Sequence, residues 1–184
     1  ADHAMSLILA LNRRIVWLDR ELKAGAWVRH GRATGEILHT KIEPLREQTL
    51  GIIGLGRIGK LVAERARPFG LTILAHDPYL DPATAPDYVT LVELNDLLAR
   101  ADIVTLHCPL TPETRGLINA ERLSLMKPSA YLVNTARGPI IDLDALVVAL
   151  QANGIAGAGL DVVDPEPLPE DSPLYKMDNV ILTP

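Results

Sequence analysis

The stretch Thr49-Leu50-Gly51-Ile52-Ile53-Gly54-Leu55-Gly56-Arg57-Ile58-Gly59 decides the fold of this 184-residue chain. A short apolar run ends at the pattern G-x-G-x-x-G, and a helix-forming segment follows at once. In such a turn, Gly54 makes the tight bend, Gly56 lets the backbone approach a pyrophosphate, and Gly59 lets the helix pack on the strand. The first N–H groups of the helix then face the anion. The pattern predicts a dinucleotide site, although a tight turn without any ligand would use the same glycines.

An acidic residue further along the chain supports the dinucleotide interpretation. Asp77 ends the next apolar run, about 20 residues beyond the glycines, where a carboxylate can accept hydrogen bonds from the adenosine ribose hydroxyls. A 2′-phosphate about 4 Å from this carboxylate would meet a repulsion of up to about 4 kcal/mol at an effective dielectric constant near 20. The sequence therefore predicts NAD rather than NADP. The alternative is a turn carboxylate that merely precedes Pro78.

Strand and helix patterns alternate along the rest of the chain. Apolar runs predict strands at 49–53, 71–76, 102–107, 130–134, 156–160 and 179–182, and helical periodicity predicts helices at 57–67, 90–100, 119–126 and 142–152. Asp142 can cap the last of these helices, while Pro128 and Gly154 end helices. The alternation predicts an α/β fold: a Rossmann-type, doubly wound parallel sheet with helices on both faces.

The segment before the glycine loop divides into two parts. Residues 2–23 form one amphipathic helical pattern that Gly25 ends, and its apolar face can pack on the core or meet another subunit. Residues 29–48 are polar and irregular. The chain lacks an initiator Met and begins within the helical pattern, so we expect a fragment of a longer protein.

Composition excludes several classes of protein. The net charge of −5 and the absence of a Lys/Arg run argue against a nucleic-acid binder. The single cysteine, Cys108, excludes an internal disulfide and any multi-cysteine metal site, and no metal site is predicted. No apolar stretch is long enough to cross a bilayer, and no basic leader precedes the first helix. We therefore expect no membrane partner and a reducing, cytoplasmic location.

Polar residues follow the predicted strands one after another. The glycine loop follows the first strand, Asp77 the second, His107-Cys108-Pro109 the next, Asn134-Thr135-Ala136-Arg137-Gly138 the next, and Asp161 the one after. In an open parallel sheet the carboxyl ends of the strands line one crevice. The sequence therefore places all of these residues around a single ligand.

These motifs together resemble those of the D-isomer-specific 2-hydroxyacid dehydrogenases. The resemblance rests on the glycine loop, on the run from His107 to Thr114, on Asn134 to Gly138, and on Asp161-Val162 followed by Glu166-Pro167, and it extends over residues 1–184. It implies the family's NAD-binding domain, with residues 1–24 as a hinge or interface helix and residues 49–184 as the Rossmann core. The substrate domain would lie outside this chain.

The resemblance gives two residues a catalytic role. Arg137 would bind the carboxylate of a 2-keto acid bidentately and polarise the neighbouring carbonyl, where the alternative is a surface charge in a turn. Glu166 would pair with the family's catalytic histidine and raise its pKa, where the alternative is a solvated carboxylate in an acidic, proline-rich loop.

Other residues would contact the cofactor. By resemblance, Arg57 and Ile58 contact the pyrophosphate, Thr135 and Ala136 lie along the nicotinamide ring, and Pro109 and Thr114 line the cofactor path. Asp161 would accept a hydrogen bond from the nicotinamide carboxamide, or would merely cap a buried strand. His76 and His107 would lie near the cofactor as neutral hydrogen-bonding groups without a base role, and Cys108 would be a buried small side chain beside it and not a nucleophile. The predicted cofactor contacts are Gly54, Gly56, Arg57, Ile58, Gly59, Asp77, His107, Cys108, Pro109, Thr114, Thr135, Ala136, Arg137 and Asp161.

The family's histidine has no counterpart in the chain. It directly follows a Thr-Pro at the end of a strand, and Thr183-Pro184 are the last two residues here. None of the five histidines, His3, His30, His39, His76 and His107, occupies that position. We therefore expect the chain alone to bind NAD with little turnover, since loss of an acid–base group costs typically about 10²–10⁴ in rate.

The resemblance leaves two functions open. The first is an oxidoreductase that transfers a hydride between NAD(H) and a small D-2-hydroxy or 2-keto acid of the phosphoglycerate, glycerate/hydroxypyruvate or glyoxylate class, as a homodimer. The second is an NADH-sensing corepressor of the C-terminal-binding type, because residues 37–48 are less typical of the family's shorter joining segments.

Overall fold

The computed structural model describes residues 1–38 and 42–184. A seven-stranded parallel sheet lies at its centre. The strands are β1 (Thr49–Ile53), β2 (Thr72–His76), β3 (Val89–Leu91), β4 (Ile103–Leu106), β5 (Tyr131–Asn134), β6 (Gly157–Leu160) and β7 (Val180–Leu182). Their order is β3-β2-β1-β4-β5-β6-β7, and every neighbouring pair is parallel. The order reverses between β1 and β4, which confirms the predicted doubly wound sheet.

Helices cover both faces of this sheet. The helices are α1 (Asp2–Asn12), α2 (Ile15–Lys23), α3 (Ala26–His30), α4 (Thr34–Leu38), α5 (Arg57–Ala66), α6 (Leu94–Arg100), α7 (Ala120–Leu125) and α8 (Leu143–Gln151). Ile52 belongs to the apolar cluster that α1 and α5 complete, and the next residue, Ile53, belongs to the cluster formed with α6, α7 and α8. Successive side chains of a strand point to opposite faces, so β1 is buried on both.

The prediction of one helix over residues 2–23 is wrong. α1 ends at Asn12 and α2 begins at Ile15, because Arg14 adopts a left-handed conformation with φ of 52°. The Arg14 guanidinium lies over the Trp17 ring at 3.9 Å, a contact that favours this otherwise unfavourable turn. The two halves also differ in burial: α1 buries six residues in the core, whereas α2 buries none.

Two further predictions need correction. The predicted helix at 90–100 begins only at Leu94, and the preceding residues form the short strand β3, which pairs with β2. The segment 29–48, predicted as irregular, contains the end of α3, the helix α4 and a 3₁₀ turn at Leu45–Glu47. The corepressor interpretation depended on residues 37–48, of which 39–41 lie outside the described residues.

The other predicted elements agree with the structure to within two residues. Asp142 caps α8 by accepting a hydrogen bond from the Ala145 N–H at 3.1 Å. Gly25 follows α2 with φ of +90°. Helices commonly end at a residue with positive φ, and glycine adopts this conformation most easily. No helix among the described residues combines the length and apolar character of a membrane span.

Candidate functional site

The carboxyl ends of six strands lie in one row. Ile53 of β1 pairs with His76 of β2 and Leu106 of β4; along the same line Leu106 pairs with Asn134, Asn134 with Leu160, and Leu160 with Leu182. The loops that follow these strands therefore leave the same edge of the sheet. All predicted site residues are on these loops or in the first turn of α5. The predicted alignment of the strand ends at one edge is confirmed, and the arrangement of the residues around a single ligand stays a prediction.

The glycine loop occupies the point where the strand order reverses. Gly54 has φ of +91°, and a Cβ there would lie 2.6 Å from the Cys108 backbone nitrogen in the loop after β4. A Cβ at Gly59 would collide with the carbonyl oxygen of Gly54. The fold itself therefore requires glycine at both positions, at the bend and at the contact of α5 with the loop.

Gly56 differs from its two neighbours in the motif. Its φ is −73°, and a Cβ at this position would have no atom of the described residues within 4 Å. Neither conformation nor packing within the protein explains a glycine there. Gly56, Arg57 and Ile58 are exposed at the N-terminus of the ten-residue helix α5, where free N–H groups attract anions. The open space at Gly56 fits the close approach of a pyrophosphate, so the residues present suit a dinucleotide.

Asp77 is fixed beside the glycine loop. Its Oδ2 accepts a hydrogen bond from the Leu55 N–H at 2.9 Å, and its Oδ1 accepts one from the Tyr79 N–H at 3.1 Å. Each oxygen retains acceptor capacity for a ribose hydroxyl. A cavity of about 340 Å³ adjoins the carboxylate at the ends of β2 and β3. Sequence reasoning predicted the position of Asp77 but not its bond to the loop.

The loop after β4 brings neutral groups to the opposite side of the glycine loop. The His107 N–H donates to the Ile53 carbonyl at 2.8 Å, and its ring Nε2 lies 3.0 Å from the Thr105 hydroxyl. Burial lowers the pKa of His107 to about 4, and burial raises the pKa of the Cys108 thiol. Both side chains are therefore uncharged near neutral pH, as predicted for His107.

Thr114 braces the same loop. Its hydroxyl donates to the Pro109 carbonyl at 2.7 Å and accepts from the Thr111 N–H at 2.8 Å. Pro109 itself is exposed at the carboxyl edge. These two hydrogen bonds give Thr114 a structural role in the loop. Its contact with a cofactor stays a prediction.

The loop after β5 holds Thr135, Ala136 and Arg137. The fully buried Asn134 organises it, because its Nδ2 donates to the Arg137 carbonyl and its Oδ1 accepts from the Ala136 N–H, both at 3.0 Å. The Arg137 side chain is exposed, and its Nη1 donates to the Ala136 carbonyl at 2.6 Å. Four of the five donors of its guanidinium are not used in that bond, so the fork can still bind an anion.

The loops after β5 and β6 are packed together. A Cβ at Gly138 would collide with the carbonyl group of Val163, so this glycine permits a close backbone contact. Val163 lies between Asp161 and Glu166, and Glu166 is exposed. The contact holds the loop that carries Arg137 against the loop that carries Glu166. Sequence reasoning did not find it, because the G-P pair after Arg137 indicates only a turn.

Asp161 has partners from two other elements. The Thr183 hydroxyl, just after β7, donates to its Oδ1 at 2.8 Å, and the His3 Nε2 of α1 lies 2.9 Å from the same oxygen. The carboxylate therefore does more than cap the end of β6. Neither partner was predicted, since no local pattern links positions 3, 161 and 183.

A further cavity lies at the opposite, amino edge of the sheet. It measures about 1200 Å³ and is bordered by Asn12, Asp102, Tyr131 and Asn179 among others, but by none of the predicted site residues. The exposed loops, open glycine backbone and fixed carboxylates are all at the carboxyl edge, which we therefore take as the site. Within the described residues, no three His, Cys, Asp or Glu side chains form a group that could hold a metal ion.

Comparison with known proteins agrees with this geometry. The family model described as D-isomer specific 2-hydroxyacid dehydrogenase, NAD binding domain, matches residues 5–184. The chain is 46% identical over 186 residues to a glyoxylate reductase of Thermofilum pendens, covering 100% of the chain and 54% of the relative. It is 47% identical over 186 residues to a D-3-phosphoglycerate dehydrogenase of Methanocaldococcus jannaschii, covering 100% and 34%.

A solved structure matches equally well. The D-isomer specific 2-hydroxyacid dehydrogenase from Xanthobacter autotrophicus Py2, in complex with NADPH and MES, superposes with a TM-score of 0.85 at 35% identity, over 98% of this chain and 54% of that one. The chain thus spans about half or less of the length of these proteins. The match covers the sheet, the glycine loop and every loop of the carboxyl edge, and the chain belongs to the D-isomer-specific 2-hydroxyacid dehydrogenases as their NAD-binding domain.

Proposed function

We propose that this chain is the cofactor-binding part of an enzyme that transfers a hydride between NAD(H) and a small D-2-hydroxy or 2-keto acid. The observation that carries the proposal is the contact of Gly138 with Val163, which keeps Arg137 and Glu166 on adjoining loops. Both loops leave the edge of the sheet at which the glycine loop opens. This arrangement supports a site in which Arg137 binds the substrate carboxylate and Glu166 pairs with the proton-transferring histidine, both beside the dinucleotide.

Different residues of the cofactor site bind different parts of the dinucleotide. Asp77 accepts hydrogen bonds from the adenosine ribose, and the backbone around Gly56, Arg57 and Ile58 binds the pyrophosphate. The remaining predicted contacts, from His107, Cys108, Pro109, Thr114, Thr135 and Ala136, line the path towards the nicotinamide. Asp161 accepts a hydrogen bond from the carboxamide. The fixed charge of Asp77 favours NAD over NADP.

The substrate interactions come from Arg137 and Glu166. The exposed Arg137 guanidinium binds the substrate carboxylate bidentately, and its positive charge stabilises the negative charge that develops on the keto oxygen during reduction. When bound, the nicotinamide ring supplies or accepts the hydride. Glu166 orients a histidine that the family resemblance places directly after Thr183-Pro184, and that histidine moves the hydroxyl proton.

Two histidines that end strands or follow them, His76 and His107, are less suited to that proton transfer. His107 has a pKa of about 4 because of burial, so it holds no proton to donate near neutral pH. The His76 Nδ1 lies 3.1 Å from the Val92 carbonyl, and that bond occupies the nitrogen. The division into a hinge or interface segment (1–24), a Rossmann core (49–184) and a substrate domain elsewhere is part of the same proposal.

The test uses the gene product that contains this chain. We expect it to oxidise NADH with glyoxylate or hydroxypyruvate, or to reduce NAD⁺ with 3-phosphoglycerate. Replacing Arg137 by Lys keeps the charge but removes the planar fork, which should raise the KM for the acid about tenfold or more, the value of one charged hydrogen bond. Arg115→Lys is the matched control, because Arg115 is an exposed arginine of the neighbouring loop. An Arg137→Lys variant with unchanged KM and kcat would contradict the role.

The alternative, an NADH-sensing corepressor-like protein, has a distinct signature. It would bind NADH through the same glycine loop, show no turnover of any 2-keto acid, and assemble with partners only when NADH is present. Turnover that depends on Arg137 would exclude this alternative.

We also propose that the protein is a homodimer. Four apolar side chains of α2 and α3 are exposed: Ile15 (54%), Val16 (53%), Trp27 (66%) and Val28 (91%). α2 and α3 contact each other. Large apolar side chains exposed on neighbouring helices favour an interface, and in a two-fold dimer a second copy of the chain would bring the same residues to it. The single thiol, Cys108, is free, which fits a reducing compartment such as the cytoplasm.

A further inference from the structure

His3 reaches the carboxyl edge from the first turn of α1. Its Nε2 lies 2.9 Å from the Asp161 Oδ1 and 2.9 Å from the Thr183 Oγ1. The Thr183 hydroxyl in turn donates to the same Asp161 oxygen at 2.8 Å. The three residues come from α1, from the loop after β6 and from the end of β7. A closed triangle of hydrogen-bonding atoms therefore ties the start of the chain to the strand ends.

The proton count fixes the direction of these bonds. A threonine hydroxyl has one proton, and Thr183 gives it to Asp161. The His3 Nε2 must then carry a hydrogen and donate, shared between the carboxylate oxygen and the threonine oxygen. Both donors converge on Oδ1, and within the described part of the chain no hydrogen bond is made to Oδ2. One carboxylate oxygen is thus held and the other is left as an acceptor.

We propose that His3 is a positioning residue for the nicotinamide end of the cofactor. It holds Asp161 through Oδ1, so that Oδ2 is available to the carboxamide NH₂ without any rearrangement of the side chain. The proposal rests on the role given to Asp161 under the proposed function. His3 itself is half exposed, and in this proposal it acts on the cofactor through Asp161 rather than directly.

The physical gain is pre-organisation of the acceptor. Without His3, the Thr183 bond alone holds the carboxylate, and the side chain must be ordered when the ligand binds. Charged hydrogen bonds are among the stronger ones in proteins, so loss of one that orients a ligand contact should be measurable. We expect about three- to tenfold weaker binding of NAD⁺ and NADH in the His3→Ala variant. ADP-ribose lacks the nicotinamide, so its affinity should not change.

The experiment measures dissociation constants by calorimetry on the purified gene product that contains this chain: those of NAD⁺ and ADP-ribose, each with wild type, His3→Ala and the two variants described next. In His3→Gln the amide Nε2 replaces the ring donor, and this variant should recover most of the NAD⁺ affinity. His30→Ala, which removes an exposed histidine at the end of α3, is the matched control. A variant that lost both ligands equally, or a glutamine variant as weak as alanine, would overturn the proposal.

A double-mutant cycle tests whether His3 acts through Asp161. In an Asp161→Ala background, His3→Ala should have no further effect on NAD⁺ binding. Additive losses would show an independent role for His3 and would contradict the mechanism. The underlying function has its own control: if the wild-type chain bound neither NAD⁺ nor ADP-ribose, the dinucleotide site would be wrong as well. If it bound both and His3→Ala had no effect, only the role of His3 would fall.

Discussion

Replacing Asp77 by Asn should change which dinucleotide the protein prefers. The carboxylate lies beside the glycine loop, where its Oδ2 accepts from the Leu55 N–H at 2.9 Å. Asparagine has the same shape, and its amide oxygen can keep this bond, so the loop should retain its conformation. The second bond, from the Tyr79 N–H, would be lost at an exposed position. The substitution therefore removes the charge with little change to the fold.

The magnitude follows from the position of the charge. A 2′-phosphate about 4 Å from the carboxylate would meet a repulsion of about 4 kcal/mol at an effective dielectric constant of 20. Asp77 is half-buried, and solvent screening could leave only about a third of that energy, which is still close to tenfold in Kd. We expect wild type to bind NAD⁺ at least about tenfold more tightly than NADP⁺, and we expect Asp77→Asn to reduce that ratio to near one.

Isothermal titration of both dinucleotides against both proteins measures the ratio directly. Asp81→Asn is the matched control, because Asp81 also accepts a backbone N–H (from Ala83, at 3.0 Å) but is exposed in the next turn. Added salt should lower the preference of the wild type for NAD⁺ over NADP⁺ and leave the preference of Asp77→Asn unchanged. Equal wild-type affinities for NAD⁺ and NADP⁺, or a ratio that Asp77→Asn leaves intact, would refute the electrostatic reasoning.

Three other predictions concern the loop, the buried histidine and the apolar surface. Gly56→Val should weaken NAD⁺ binding more than tenfold without lowering the melting temperature. Gly59→Ala should instead destabilise the fold by about 1–3 kcal/mol, because its Cβ would collide with the Gly54 carbonyl. A destabilised Gly56→Val variant with normal NAD⁺ affinity, or a Gly59→Ala variant of unchanged stability, would contradict the assignment. Because His107 has a pKa of about 4 when folded and 6.5 as its ordinary value, the unfolded chain takes up the proton first. Stability should therefore fall by up to roughly 3 kcal/mol as the pH drops from 6.5 to 4, and urea unfolding of His107→Gln should show a smaller loss. Val28→Glu should shift the mass measured by light scattering from dimer to monomer, while an unchanged mass would exclude α3 from the interface.

The sequence predicted the parts of the fold that have a local cause. The apolar run 49–53 and the glycines after it have few alternatives to a buried strand and a tight turn, and β1 has those bounds. Polar residues at strand ends predicted which loops share one edge of the sheet, because parallel strands bring their carboxyl ends together. The capping of α8 by Asp142 followed from residue type in the same way.

The remaining features depend on contacts between distant positions. The break at Arg14 involves no glycine or proline, and the three-residue β3 exists because β2 offers it an edge. The contacts of Gly138 with Val163 and of His3 with Asp161 join residues that are separated in the sequence, so no pattern of spacing reveals them. Periodicity describes one element at a time, and these features arise only when elements pack.

The close contact at Gly138 restricts how this enzyme family member can be redesigned. Any side chain at position 138 would push the backbone around Val163 away, so the loop that carries Glu166 would separate from the loop that carries Arg137. Under the function proposed above, varying one of these two loops alone should therefore yield mostly inactive clones. Combinatorial libraries that randomise positions 135–137 and 162–166 jointly, with Gly138 kept, sample the pairs of loop conformations that remain compatible with each other.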